Sequence, residues 1–347
     1  MPTIDKTFQP PNKHYNEDNS LHTLSMPELY DADFAIPKHI IKDFLYPGLY
    51  ILAGAPKTGK SFLMSQIAHH VAQGRELWQL PTEKGSVLYL ALEDQFYRLQ
   101  QRLVRMFDMD LAANLHMAVN AKSLYGGLEE QLTDFIKKHP DVRLIIIDTL
   151  QKIRSLQDEK INYARDYNVA AKLKEIADKH KLCLLVVHHT RKQQAEDSFE
   201  MISGSNGLFG AADGAMVLRK DKRIANRAIL EIVGRDQPDQ MLTLKFSRAN
   251  CLWSLEKSVY ERWQAPPDPI ITAVAKLVNK ENPQWQGTAQ QLQDTLSIGN
   301  IENNMLSRKL NTNKHLLLES YSVNFSRKKE QHQRIITLQY LPKEQAA

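Results

Sequence analysis

Cysteine is scarce in this chain of 347 residues: only Cys183 and Cys251 occur. Neither has a partner at a recognisable disulfide or metal-ligand spacing, which argues against a disulfide scaffold and points to two reduced, buried thiols. Long apolar runs are also lacking. Leu144–Ile147 and Leu182–Val187 are of strand length, far short of the roughly 20 residues that a membrane helix requires. Mean hydropathy is −0.44, which fits a chain without a membrane partner. The first 20 residues, MPTIDKTFQPPNKHYNEDNS, have no apolar stretch of the secretory kind, so a cytoplasmic location is expected. Charge of one sign does not dominate either. Lys and Arg number 45 against 40 Asp and Glu, a formal charge of +5, and the two signs are interleaved, so charge alone identifies no nucleic-acid partner. No internal repeat is present.

What is there is an alternation of strand and helix. Residues 1–24 are rich in Pro, Asn and Asp and read as a mobile arm. Leu49–Ala53 reads as a strand, followed by a Gly-rich loop and a helix in which Leu63, Ile67 and Val71 recur at four-residue spacing until Gly74. Val87–Leu92, Leu144–Ile147 and Leu182–Val187 are further apolar runs suited to strands buried on both faces, with helix patterns at 96–106 and 128–138 between them. This predicts an α/β fold with a doubly wound, mostly parallel sheet. Gly214–Leu218, Ala228–Val233 and Met241–Phe246 then follow closely and predict an antiparallel extension. The prolines of Gln264–Pro269 mark a linker. The expected organisation is an arm (1–24), one large domain (25–257), a linker (258–269), a small α+β domain (270–342) and a tail (343–347).

The chemistry is concentrated at strand ends. Gly54-Ala55-Pro56-Lys57-Thr58-Gly59-Lys60-Ser61 matches G-x-x-x-x-G-K-[ST], between a strand and a helix as that phosphate-binding loop requires. Backbone N–H groups and the helix N-terminus would surround the phosphates of ATP, with Phe62 next in line. Lys60 is expected to reach the β- and γ-phosphates, and the Ser61 hydroxyl to ligate Mg2+. Arg143–Thr149 is an apolar strand ending in Asp148, a second carrier of the magnesium through its water shell. No glutamate follows Asp148, so a general base must come from elsewhere. Glu93, after the Val87–Leu92 strand, is the candidate, and Asp94 beside it reads as a helix cap. Another strand ends in His188-His189-Thr190-Arg191, where a polar side chain can sense the γ-phosphate.

GAPKTGKS, VLYLALED, RLIIIDT, LLVVHHTRK and SGSNGLFGAADGAMVL, in that order, resemble the RepA-like branch of RecA-like P-loop ATPases, relatives of the hexameric replicative helicases of plasmids. The resemblance covers about residues 25–257. It implies ATP hydrolysis with Glu93 as catalytic base and a histidine after the Leu182–Val187 strand contacting the γ-phosphate, His188 in preference to His189. It further implies a homo-hexameric ring in which a neighbour's cation completes each site. Arg235 in IVGRDQP is the candidate, with Arg219 and Lys220 as alternatives. Arg154–Asp166 and Lys192–Gly204 fall where such rings place loops that bind single-stranded DNA.

The C-terminal region goes beyond that outline. Trp285–Thr288, the helix from Ala289, Arg308-Lys309 and the Arg327-Lys328-Lys329 turn resemble a winged helix of the kind found in replication proteins of phages and mobile elements, with duplex DNA as the implied partner. The expectation is thus a ring-forming ATPase that acts as a DNA helicase or translocase in replicating a plasmid, phage or other mobile element. The competing expectation is an ATP-switched DNA-binding regulator or helicase loader that does not unwind.

Overall fold

A computed structural model of the chain describes residues 21, 23–34, 37–154, 163–189, 199, 207–221, 226–260, 268–297, 301–330 and 333–342. It divides into two compact units, 37–262 and a second made of 1–36 with 263–347. The sequence boundary at 24/25 therefore moves. The short helix α1 (Met26–Asp31) belongs to the second unit, and the large unit begins at Pro37.

The large unit is a nine-stranded sheet in the order β3-β2-β4-β5-β1-β6-β7-β8-β9. Strands β1 (Gly48–Gly54), β2 (Ser86–Ala91), β3 (Leu115–Ala118), β4 (Val142–Asp148), β5 (Cys183–His189) and β6 (Gly214–Lys220) run parallel. β7 (Arg227–Gly234), β8 (Gln240–Phe246) and β9 (Trp253–Tyr260) continue antiparallel. The antiparallel part thus starts one strand later than the sequence implies, because β6 pairs parallel to β1 before β7 turns back along it. β3 and β9 occupy the two edges and lack the continuous apolar runs by which the central strands announce themselves.

Side-chain alternation sends successive residues of each central strand to opposite faces. Val87, Tyr89, Leu144, Ile146, Leu185 and Val187 pack with Leu63, Ile67 and Val71 of α2 (Lys60–Gln73). Leu88, Leu90, Ile145, Ile147, Leu184 and Val186 face Leu132 of α4 (Glu129–Lys138) and Leu173 and Ile176 of α6 (Tyr163–His180). The first helix of the sheet ends at Gly74, in the left-handed region. α3 (Phe96–Phe107) and the four-residue α5 (Leu150–Ile153) follow β2 and β4, and α7 (Gly207–Ala211) precedes β6. Helix α6 begins inside the segment expected to be a DNA-binding loop.

In the second unit, α8 (Pro269–Leu277), β10 (Gln284–Thr288), α9 (Ala289–Leu296), α10 (Asn303–Thr312), α11 (Lys314–Tyr321), β11 (Val323–Glu330) and β12 (Gln333–Tyr340) follow in order. The strands form an antiparallel sheet β10-β12-β11. Thr288 opens α9 with a capping box to Gln291, and Asp268 caps α8 through the amides of Ile270 and Ile271. Ile271, Val274, Leu292, Leu306, Leu310 and Leu338 lie in its separate core. Tyr260 at one end and Asp268 at the other are structured, so the linker is shorter than expected. The residues between them, like the tail from 343, lie outside the described residues, as does nearly all of the arm.

Candidate functional site

The phosphate loop joins β1 to α2 and is shaped by close backbone approaches. Gly59 has φ of 99°, and a Cβ there would stand 2.8 Å from the Trp253 ring. A Cβ on Gly54 would stand 2.5 Å from the Leu218 carbonyl oxygen. Among the described residues no side chain caps the N-terminus of α2, so its first N–H groups are left for an anion. Lys60 donates from Nζ to the carbonyls of Gly54 at 2.7 Å and Ala55 at 2.9 Å, and lies 3.3 Å from His189 Nδ1. Burial lowers the pKa of this ammonium. The Thr58 hydroxyl donates to the Ala55 carbonyl, tightening the turn.

Asp148, at the end of β4, accepts from the Ser61 hydroxyl at 2.7 Å and the Tyr89 hydroxyl at 2.9 Å, both on Oδ2. Burial raises its pKa above the ordinary carboxylate value despite those two bonds. A buried carboxylate beside a hydroxyl, with no cation bonded to it among the described residues, is a donor set suited to a hard divalent ion, so Ser61 and Asp148 fit magnesium.

Glu93 follows β2 and enters the same site. Its Oε1 accepts from the Thr149 hydroxyl at 3.1 Å, and its Oε2 lies 3.9 Å from His189 Nε2. Asp94 is not the cap expected: Gln95 takes the N-cap position of α3 without a side-chain cap bond, and Asp94 instead accepts from Arg102 of α3 at 2.6 Å, whose guanidinium lies over the Phe62 ring. The cavity, about 650 Å3, is lined by Pro56–Phe62, Glu93, Asp148 and His189. Arg102, Lys220, Arg227, Phe246 and Trp253 complete much of its wall. Trp253 donates from its indole to the Gly59 carbonyl at 3.3 Å and packs on Phe246, which packs on Phe62.

One expectation needs correction. His188 does not face the phosphate loop. It is buried, its Nε2 finds no hydrogen-bond partner among the described residues, and burial with Arg154 nearby pushes its pKa down to about 4. His189, one residue on, points to the opposite face of β5 and meets Lys60 and Glu93. Arg235, expected to act at a neighbour's site, lies away from the site of its own chain. Its amide donates to the Asp213 carbonyl at 2.9 Å and its guanidinium lies 3.5 Å from the Asp213 carboxylate. Asp213 binds the amide of Leu49 at the start of β1, and the length of that strand separates this end from the phosphate loop by about 20 Å. Of the alternatives, Arg219 is tied to Glu231 at 2.7 Å, whereas Lys220 lines the cavity.

The sequence motifs do not mark Tyr89, Arg102, Lys220, Arg227, Phe246 or Trp253 as site residues in cis. Tyr89 had a usable signal, since it shares strand parity with the face that packs on α2; the β8–β9 residues had none. Thr190, Arg191 and the segment 192–204 lie outside the described residues, except Phe199. So do 155–162, although the ends of that stretch are clasped by a buried ion pair of Arg154 and Asp166 at 2.6 Å. In the second unit the expected basic face is partly paired: Arg308 and Arg327 meet Asp31, and Lys309 meets Asp268 at 2.5 Å. Among the described residues no cluster of three or more His, Cys, Asp or Glu suits a metal, and no helix is long and apolar enough to cross a membrane.

The model of the AAA domain family AAA_25 matches residues 18–195. The chain belongs to this family. Within it, the site just described is that of a P-loop ATPase, carried on a RecA-like fold. The fold is similar to a DnaB-like replicative helicase, solved with attention to its interactions with primase, at a TM-score of 0.51 and 16% identity over 60% of this chain and 57% of that one. It is similar also to a separately solved ATPase domain, at a TM-score of 0.52 and 15% identity over 61% of this chain and 85% of that one. Among curated proteins, the DNA repair protein RadA of Streptococcus pneumoniae is 26% identical over 150 residues, 42% of this chain and 31% of that protein. RadA of Streptococcus pyogenes serotype M1 matches equally over 29% of its length. The chain thus spans about a third of the curated relatives it matches.

Proposed function

We propose that this AAA-domain protein hydrolyses ATP in a ring of identical subunits and uses the cycle to move on DNA during replication of a plasmid, phage or other mobile element. The observation that carries this reading is the meeting of Lys60, Ser61, Asp148, Glu93 and His189 in one cavity on one face of the sheet. The loop amides and Lys60 hold the triphosphate, and Ser61 with Asp148 holds magnesium, which neutralises phosphate charge when bound. Glu93, oriented by the Thr149 hydroxyl, takes the proton of the attacking water as the bond to the leaving β-phosphate oxygen breaks. His189 bridges Lys60 and Glu93, so it can report the presence of the γ-phosphate to the strand end that carries it. In a ring, Arg235 is the residue this reading assigns to a neighbour's site, where a cation stabilises charge on the transferring phosphoryl group.

The C-terminal unit, with three helices and a β-hairpin after its first strand, has the element order of a winged helix, and its cations support a role on DNA. The test of a motor is steady-state phosphate release with and without single-stranded DNA at two salt concentrations. Stimulation that is lost at high salt, where phosphate contacts weaken steeply, is expected. Slow hydrolysis indifferent to single-stranded DNA, in protein that binds DNA, would replace the motor by an ATP-switched regulator or loader.

A further inference from the structure

Four cations of the C-terminal unit converge on the chain's own N-terminal segment. The Asp31 carboxylate lies 3.2 Å from Arg308 of α10, 3.4 Å from Arg327 of β11 and 4.0 Å from Arg334 of β12. Arg327 also donates to the Asp31 carbonyl at 2.5 Å. The Asn311 amide donates to the carbonyls of Tyr30 and Ala32, each at 3.1 Å, and Lys314 pairs with Asp33. One carboxylate therefore ties a helix to both strands of the hairpin.

The attachment is made by charge rather than by the core. Helix α1 has no buried residue. The buried core cluster of this unit is drawn wholly from residues 271–338, so it closes without the N-terminal segment. Partly exposed ion pairs of this kind are weak singly and are screened by salt. A guanidinium fork accepts a phosphate oxyanion in the geometry in which it accepts a carboxylate. Cations from a helix and from a hairpin, gathered round one small anion, form an arrangement that a phosphodiester can take over.

We propose that Arg308, Lys314, Arg327 and Arg334 form a phosphodiester-binding surface for duplex DNA, occupied in the free chain by Asp31 and Asp33, which the duplex must displace. This rests on the reading that the C-terminal unit meets DNA. The N-terminal segment then sets the threshold for docking, and docking releases it.

Binding of a fluorescein-labelled duplex to the full chain, followed by anisotropy over a range of salt, tests this. Asp31→Asn with Asp33→Asn should bind roughly tenfold tighter than wild type at low salt, the sum of a few weak pairs. That advantage should shrink as salt rises, because the ion pairs that oppose docking in wild type are themselves screened. Arg308→Ala with Arg327→Ala should bind more weakly than wild type. A synthetic peptide of residues 21–34, added to the Asp31/Asp33 double variant, should restore wild-type affinity, and the same peptide carrying Asn at both positions should not. This comparison uses one protein sample and is independent of how the variant folds. Equal affinity of the Asn variant and wild type, with the arginine variant weakened, overturns self-occupancy and leaves the DNA reading standing. An arginine variant that binds as wild type overturns the surface itself, and a wild-type chain and Asn variant that both ignore duplex DNA overturn the DNA reading with it.

Discussion

Glu93→Gln separates the proton-accepting role of this side chain from its structural one. The substitution is nearly isosteric, and the amide oxygen of glutamine can still accept from the Thr149 hydroxyl, which donates to Glu93 Oε1 at 3.1 Å. Position should therefore survive while proton affinity and negative charge are lost. The side chain is 47% exposed, so stability should stay within about 0.5 kcal/mol of wild type. General-base catalysis contributes about 10^2–10^4 in rate, equivalent to about 3–5 kcal/mol on the barrier. Turnover under saturating ATP and magnesium should fall by that factor. Affinity for the triphosphate should be unchanged or tighter, because one negative charge near the phosphates is gone. Phosphate release and equilibrium binding of a fluorescent ATP analogue, measured on the same preparation, report the two quantities. Turnover equal to wild type would refute Glu93 as the base. Loss of binding together with turnover would assign the residue to holding the site rather than to the proton.

The other predictions concern its neighbours. Lys60→Ala should weaken triphosphate binding and lower turnover by at least about 10^2, the usual scale for losing one preorganised phosphate donor, which the same two assays measure. His189→Ala should lower turnover, or its response to DNA, with the thermal midpoint held, whereas His188→Ala should move the midpoint by a core-residue amount and leave the response to DNA intact; the reverse pattern would restore His188. Asp148→Asn should abolish magnesium-dependent turnover yet leave the nucleotide-free chain as stable or more stable near neutral pH. Because burial raises the Asp148 pKa, its charged form opposes folding: the contribution of Asp148 to the stability of the nucleotide-free chain is greatest with the group protonated and falls as pH rises from its unfolded value through its folded value. Thermal melts across that range should show the variant gaining on wild type as pH rises.

Much of this site was legible because the parallel sheet has a strong signature. Short continuous apolar runs alternating with helix patterns suit strands buried on both faces, and the polar residue ending each run then stands at the sheet's C-terminal edge. That reasoning puts Asp148, Glu93 and the phosphate loop at one edge, where the structure also has them. It missed Phe246 and Trp253, which reach the cavity from the antiparallel strands β8 and β9, because such strands alternate and carry no end-of-run marker. The partnership of Asp94 with Arg102, eight residues apart and reaching back over two turns of α3, leaves no such marker either, and it holds Asp94 outside the cap position, which Gln95 takes. The unit boundary failed for a related reason. α1 is joined to the second unit by pairs such as Asp31 with Arg308, separated by 277 positions, and an ion pair over that distance leaves no periodic trace in the chain.

Strand parity distinguishes His189 from His188, and the residues that fix it are present in the chain. α2 contributes Leu63, Ile67 and Val71 to one face of the sheet, the face that holds Leu185 and Val187 of β5. A strand's period of two then sends residue 189 to that face and residue 188 to the other, with Leu184 and Val186. The same count puts Leu144 and Ile146 of β4, and hence Asp148, over α2, where Ser61 meets it at 2.7 Å. In β2 it puts Tyr89 there as well, with its hydroxyl 2.9 Å from Asp148. Three strands thus agree on a face once the helix after the phosphate loop is known to cover it. A single insertion in β5 between Val187 and His189 would turn His189 away from Lys60 without moving the P-loop, so the alternation is as much a part of the site as the residues that occupy it.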